Sequence, residues 1–157
     1  MQDFELIYLL SNVILLPAWL LLILAPDWRW TERVVHSAWI PVLYGTAVTV
    51  IIVMRPALAE EANIGSLRGF MLLLQSPYSS LAIWVQLVLC DLFIGAWESR
   101  DARRHGIRAG WLVVPLVATY IFGPPGLLIY LAIRYAHTRK VTLVEAKACA
   151  SPAIAGP

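Results

Sequence analysis

The chain has 157 residues, of which 60% are hydrophobic and 14% charged, and its mean hydropathy is +0.72. Soluble domains carry about 25% charged residues, so this composition excludes an ordinary soluble domain and indicates a membrane protein. The net charge is only +2 and the basic residues sit at the edges of the apolar runs and not in one patch, so we expect no nucleic-acid partner. The histidines and cysteines lack ligand spacing, so no metal and no cofactor are expected.

Four apolar runs are long enough to cross a bilayer, since a transmembrane helix takes about 20 residues. They span about 5–25, 36–54, 79–97 and 110–133. The first five residues contain no Lys or Arg, so the first run is expected to be a transmembrane helix and not a cleaved signal peptide. We therefore expect an all-α polytopic membrane protein with four transmembrane helices in a bundle.

The ends of these runs suggest how the chain is organised. Residues 1–137 are expected to form a single transmembrane domain, and residues 138–157, rich in Ala and ending in Pro and Gly, a disordered tail. Leu67 and Leu74, with apolar residues between them at helical spacing, predict a short interfacial helix near 64–75. An extension of the third transmembrane helix fits that pattern equally well.

The distribution of basic residues leaves the membrane orientation undecided. With four crossings, six would lie on each side of the membrane, so the positive-inside rule gives no answer. One side would carry Arg29, Arg33, Arg100, Arg103, Arg104 and Arg108, and the other Arg55, Arg68, Arg134, Arg139, Lys140 and Lys147. The dense loop over 98–109 favours placing that loop in the cytoplasm.

Asp91 is the strongest candidate for chemistry, because it lies inside the third run. A carboxylate at the centre of a membrane helix costs roughly 2.5–3.5 kcal/mol to insert, so Asp91 is expected to face the bundle interior. Burial favours the protonated form of an acid, which suits a proton donor or acceptor. The alternative is a structural acid that is hydrogen-bonded to a neighbouring helix. Trp84 lies on the same helical face, and Gly95 would let a helix or ligand approach closely.

Two other runs carry features that we expect to meet Asp91. In the first run, Asn12 needs a polar partner, for which Asp91 is the candidate, and Trp19 follows at helical spacing. In the fourth run, the sequence Gly123-Pro124-Pro125-Gly126 should break the helix and free two backbone carbonyls. These features predict one ligand pocket near mid-membrane, lined by Trp19 and Trp84. The alternative is that the break only shapes packing.

Three stretches of this chain resemble a known family over about residues 6–134. They are Asn12 with Pro17-Ala18-Trp19 and Ala25-Pro26-Asp27-Trp28, then Trp84 with Asp91-Leu92-Phe93-Ile94-Gly95, Trp97 and Asp101, and last Phe122-Gly123-Pro124-Pro125-Gly126-Leu127-Leu128. Their order and spacing are similar to those of the abscisic acid-deficient-four-like family, named for a plant plastid protein needed to make neoxanthin. The resemblance implies a four-helix membrane protein linked to carotenoids.

In plants, the step associated with the family converts violaxanthin to neoxanthin by opening an epoxide to form an allene. Such a step needs a proton donor at oxygen and a base at carbon, and the resemblance makes Asp91 the candidate for one of these roles. The chain departs from the family at Gln86 and at Ala109, because the family often has a histidine at or near each of these positions. The arginine-rich loop favours a protein of a bacterial inner membrane.

Two hypotheses for function follow, and the sequence leaves open whether the protein is an enzyme. The first is an isomerase-like enzyme that acts on a carotenoid or related isoprenoid. The second is a non-catalytic membrane subunit that binds a pigment, a lipid or partner helices in a larger complex. A transporter is less favoured, because four helices without a repeat would need to oligomerise to form a path.

Overall fold

The computed structural model describes residues 2–56 and 61–143, and the regular secondary structure of these residues is entirely α-helical. In chain order the helices are α1 (Gln2–Leu24), α2 (Arg29–Val34), α3 (Trp39–Met54), α4 (Leu67–Leu74), α5 (Pro77–Arg104), α6 (Ala109–Phe122) and α7 (Pro124–Thr138). Three stretches are long and apolar enough to cross a membrane, namely α1, the α2–α3 stretch Arg29–Met54, and α5. The first and third predicted runs are present as single helices of sufficient length, whereas the second lies in the stretch Arg29–Met54, which residues 35–38 divide into α2 and α3.

Helix α5 is the central element of the structure and contacts α1, α3, α4, α6 and α7. Small side chains at Ala82, Gly95, Ala96 and Ala102 are buried along its length and let the surrounding helices approach closely. In contrast, most apolar side chains of α1 and α3 are exposed, as expected for surfaces that face lipid.

The fourth predicted span is two helices instead of one membrane-crossing helix. Helix α6 ends at Phe122, Gly123 makes the turn, and α7 begins at Pro124 and packs along α6. The end of α7 at His137 lies beside Trp111 near the start of α6, so the two helices form a hairpin that returns to the end where it began. We call this unit the α6–α7 hairpin.

The last run is therefore not the single continuous helix that the expectation of four transmembrane helices assumed. The physical reason lies in Gly123, which has a φ of 65° and a ψ of −108°, a conformation that reverses the chain direction where a bent helix would continue. The helices of the hairpin have 14 and 15 residues, about 21 and 23 Å, against a bilayer core of roughly 30 Å. Neither helix is long enough to cross the core alone.

The ends of the helices define two faces of the molecule. Arg103 of α5 lies 3.8 Å from Asp27 and 4.0 Å from Glu32, which brings the α1–α3 connection beside the end of α5. At the opposite face, the ring of Phe4 in α1 contacts the ring of Tyr78 at the start of α5. The α6–α7 hairpin begins and ends at the first of these faces.

The connection between α3 and α5 contains the short helix that the sequence suggested. Helix α4 is separated from α5 by Gln75 and Ser76, so it is a distinct element and not an extension of α5. Ser66 caps it by accepting a hydrogen bond from the backbone N–H of Gly69 at 3.0 Å. The greater part of the predicted disordered tail, from residue 144 onwards, lies outside the described residues, and α7 itself extends to Thr138.

Candidate functional site

Helices α1, α5 and α6, together with the turn of the hairpin, enclose a cleft of about 430 Å³ around Asp91, which we call the Asp91 cleft. Its lining residues are Asn12, Leu15, Trp19, Trp84, Leu87, Val88, Asp91, Tyr120, Ile121, Phe122, Gly123 and Pro124. Several of them, including Leu87, Ile121 and Phe122, are also exposed on the outer surface. The cleft therefore opens towards the surroundings of the helices, where a membrane would place its acyl chains.

The helix break and Asp91 meet at the same point. A Cβ atom placed on Gly123 would lie 2.7 Å from Oδ1 of Asp91, so the carboxyl group contacts the backbone of the turn. Pro124 and Pro125 carry no N–H, so they cannot bond the carbonyls of Tyr120 and Ile121 as a continuous helix would. The break thus leaves two backbone acceptors on residues that line the same cleft as Asp91.

Two tryptophans line the same cleft as this carboxyl group. Trp19 of α1 is buried, and its ring lies 5.4 Å from the ring of Tyr120. Trp84 of α5 stacks against Tyr8 at 5.0 Å. The Nε1 atom of Trp84 is buried and has no hydrogen-bond partner among the residues that the structure describes. The cleft therefore has aromatic walls.

Asn12 lines the Asp91 cleft. We expected its amide to bind Asp91, and this expectation is wrong. Its Nδ2 atom donates to the backbone carbonyl of Tyr8 at 2.6 Å, one turn earlier in α1. Asparagine readily forms such local bonds because the carbonyl of residue i−4 lies within reach of its side chain. Within the described ranges 2–56 and 61–143, no side chain or backbone group donates a hydrogen bond to the carboxyl group of Asp91.

Three predicted ligand-binding residues lie beside the cleft and do not line it. Gly95 is buried under the Trp19 ring, and a Cβ atom there would lie 2.8 Å from Cζ3 of that ring. Gly126 packs against the backbone of Thr119, and Pro125 is exposed on the outside of the turn. The structure thus brings Asn12, Trp19, Trp84, Asp91, Gly123 and Pro124 together, whereas Gly95, Pro125 and Gly126 shape the helices around them.

A second polar cluster lies farther along α5, and the sequence analysis did not recognise it. The carboxylate of Asp101 accepts hydrogen bonds from Nε of Arg134 at 2.7 Å and from the hydroxyl of Tyr130 at 2.6 Å. Thr119 donates to Glu98, whose other carboxyl oxygen has no partner within the part of the chain that the structure describes. All these side chains are buried.

A signal for this second cluster was present in the sequence. Arg134 follows Tyr130 by four residues, so both lie on one face of a helix, and Asp101 follows Glu98 by three. The pairing of Asp101 with Arg134 was missed because it requires α7 to return to the end of α5 where Asp101 lies. A single crossing helix would have carried Arg134 to the other side of the membrane.

The Asp91 cleft has one carboxyl group that can donate or accept a proton, in a lining that is mostly apolar. Asp91 is the one carboxyl among the lining residues of this cleft. Among the residues that the structure describes, there is also no group of three or more His, Cys, Asp and Glu side chains that could hold a metal ion. A carboxyl group in an apolar, aromatic-walled cleft suits general acid–base work.

The structure is that of a helical protein with three helices long and apolar enough to cross a membrane and with a carboxyl group at the turn of a helical hairpin. The model of the ABA DEFICIENT 4-like family matches residues 6–130, and the chain belongs to that family. The family is the one that the three sequence motifs indicated, and the match includes Asp91, Gly123 and Tyr130. No curated protein and no solved structure matches the chain.

Proposed function

We propose that the protein binds a carotenoid or related isoprenoid in the Asp91 cleft and that Asp91 exchanges a proton with the bound molecule. The observation that carries this proposal is the position of the carboxyl group, in contact with Gly123 inside an apolar cleft that opens to the outer surface. A site reached from the bilayer suits a substrate that is itself dissolved in the bilayer. The protein would lie in the inner membrane of a bacterial cell.

The size of the cleft indicates how such a ligand would be held. Ligand pockets measure roughly 300–1,000 Å³, and the Asp91 cleft, at about 430 Å³, lies near the lower end of this range. It would hold one cyclic end group, while the polyene chain would extend along the exposed apolar surface. Trp19 and Tyr120, whose rings lie 5.4 Å apart, would contact the ring of the ligand.

The proposed chemistry is an isomerisation with no net gain or loss of protons or electrons. Asp91 donates its proton to an epoxide oxygen as the carbon–oxygen bond breaks, and a base removes a proton from carbon to form the new double bond. Because the cleft offers one carboxyl group, the resulting carboxylate of Asp91 is itself the candidate for that base. The acid is then regenerated within each turnover.

The family positions at which this chain lacks histidine do not argue against this role. Gln86 lies on another side of α5, in a cavity that it shares with Arg55 and Tyr78. Ala109 begins α6 at the opposite end of that helix from Gly123. Neither residue lines the Asp91 cleft. Their replacement therefore removes no group from the proposed site.

The test compares an epoxy-carotenoid with a carotenoid that has no oxygen. We expect the purified full-length protein to bind violaxanthin with a shift of its absorption bands, to bind β-carotene more weakly, and to convert violaxanthin to an isomer of equal mass. Asp91→Asn should keep the binding and lose the conversion, because the amide retains the shape of the acid but cannot donate an acidic proton. Chromatography with mass detection follows the product.

Asp3→Asn is the matched control, because Asp3 is an exposed carboxylate in the first turn of α1. It should behave like the wild-type protein. Conversion that survives in Asp91→Asn would contradict the catalytic part of the proposal. A failure of both carotenoids to bind would contradict the ligand class as well.

A second candidate function is a non-catalytic subunit that binds a pigment or partner helices. The observation that favours it is the wide exposed apolar surface of α1 and α3, which could contact other helices as readily as lipid. In the experiment above, this candidate predicts bound violaxanthin without conversion, and equal binding by the wild-type protein and Asp91→Asn.

A further inference from the structure

The basic residues are strongly concentrated at one face of the molecule, the face where the α6–α7 hairpin begins and ends. We call it the basic face. Nine of the described Lys and Arg residues lie at this face: Arg29, Arg33, Arg100, Arg103, Arg104, Arg108, Arg134, Arg139 and Lys140. The opposite face carries Arg55 and Arg68. The basic face also carries Asp27, Glu32, Glu98 and Asp101, so it keeps a clear positive excess.

A second cleft lies at the basic face, between the start of α6 and the end of α7, and we call it the foot cleft. It measures about 490 Å³, and its lining includes Ile107, Arg108, Trp111, Ile133 and His137. Arg108 and His137 are both exposed. Among the residues that the structure describes, no acidic side chain forms an ion pair with either of them. The foot cleft therefore combines a cation and a ring nitrogen with apolar walls.

The position of the foot cleft matches the edge of a bilayer. Trp111 is 65% exposed, and tryptophan is enriched where membrane helices meet the headgroup region. Ile133 lies one turn before His137 in α7 and forms an apolar wall. The polar part of the cleft is therefore next to an apolar part. This arrangement suits a molecule with an anionic head and an apolar tail.

We propose that the foot cleft binds the phosphate headgroup of an anionic phospholipid, with Arg108 as the principal cation and His137 as a second donor. The acyl chains would lie along Trp111 and Ile133. The positive excess of the basic face favours an anionic lipid over a zwitterionic one, since polybasic surfaces attract anionic leaflets. This site is separate from the Asp91 cleft, and the proposal is independent of the carotenoid function.

The test is native mass spectrometry of the full-length protein in detergent with added phosphatidylglycerol, phosphatidylcholine or inorganic phosphate. We expect phosphatidylglycerol to remain bound at concentrations where phosphatidylcholine is lost. Arg108→Gln should weaken phosphatidylglycerol binding about fivefold, which corresponds to the roughly 1 kcal/mol that one cation contributes near an anionic surface. His137→Gln should weaken it further in the double variant. Both side chains are exposed, so neither variant should alter the fold, which circular dichroism checks.

Arg68→Gln is the matched control, because Arg68 is an exposed arginine at the opposite face. It should bind phosphatidylglycerol like the wild-type protein. Equal retention of the two lipids, or equal affinity of the wild-type protein and Arg108→Gln, would overturn the proposal. Full competition by inorganic phosphate would also overturn it, because the foot cleft would then be a site for free anions and not for lipid.

Discussion

Gly123 has a backbone conformation that side chains strongly disfavour, with a φ of 65° and a ψ of −108°. Its α-carbon also faces the carboxyl group of Asp91, and a Cβ atom there would lie 2.7 Å from Oδ1. Two independent constraints thus require glycine at one position. The sequence indicated a break at this glycine, but the contact with Asp91 depends on how α5 and the hairpin pack.

We expect Gly123→Ala to lower the free energy of unfolding by about 1–3 kcal/mol, because a disfavoured backbone conformation costs that much. The overlap with Asp91 would add to this loss, and adding Asp91→Ala should recover part of it. Unfolding by a denaturing detergent measures the change. Gly110→Ala is the control, since nothing lies within 4 Å of a Cβ atom at Gly110. Equal stability of the two single variants would show that Gly123 is not constrained.

The pair formed by Asp101 and Arg134 should be the most sensitive polar contact in the molecule, because both side chains are more than 90% buried. Arg134→Met leaves a buried carboxylate without its charged partner, which costs about 3–5 kcal/mol. Tyr130→Phe removes one hydrogen bond to the same carboxylate and should cost about 1–3 kcal/mol. Thermal unfolding in detergent tests this order. Arg139→Met, at an exposed site, should change stability by less than about 0.5 kcal/mol.

The sequence predicted that the first three apolar runs are mainly helical, because an apolar run long enough to cross a bilayer satisfies its backbone hydrogen bonds as a helix. It predicted the break at Gly123 but not the reversal of the chain. The combined length of α6 and α7 equals that of one long helix, so hydropathy alone cannot distinguish a hairpin from a single crossing helix. What distinguishes them is the packing of Gly126 on Thr119, which requires the two helices to be side by side.

We expect spin labels at positions 111 and 136 to lie close together, because both positions line the foot cleft. A continuous helix would separate these positions, 25 residues apart, by about 38 Å. Pulsed electron resonance on the double cysteine variant, with Cys90 and Cys149 replaced by serine, measures the distance. Labels at 111 and 122 within α6 give a reference of about 17 Å in either arrangement. A distance near 38 Å for the first pair would rule out the hairpin.

The α6–α7 hairpin changes the membrane orientation that the basic residues predict. The prediction from sequence put six basic residues on each side because it assumed that the last helix crosses the membrane. With the hairpin, the nine basic residues at the basic face compare with two at the opposite face. The positive-inside rule then predicts that the basic face is on the cytoplasmic side. The prediction from sequence that the basic segment 98–109 lies in the cytoplasm agrees with this orientation.

We expect a cysteine in place of Glu61 to react with an impermeant thiol reagent in intact cells, and a cysteine in place of Thr142 to react only after lysis. Both positions are exposed, and they lie at opposite faces of the molecule. Four crossings would place both on the same side, so matching reactivity of the two would contradict the three-crossing arrangement. The reverse pattern would invert the orientation but keep the hairpin.

The hairpin also has a consequence for the way the protein is assembled during synthesis. Because neither of its helices can cross the bilayer core alone, the translocon has three segments to insert as independent crossings, and α5 leaves the ribosome before α6 and α7 do. Until the hairpin docks, Asp101 lacks Arg134, and the cleft around Asp91 lacks a wall. We therefore expect a late, separate docking step, during which the newly made chain is most vulnerable to membrane proteases.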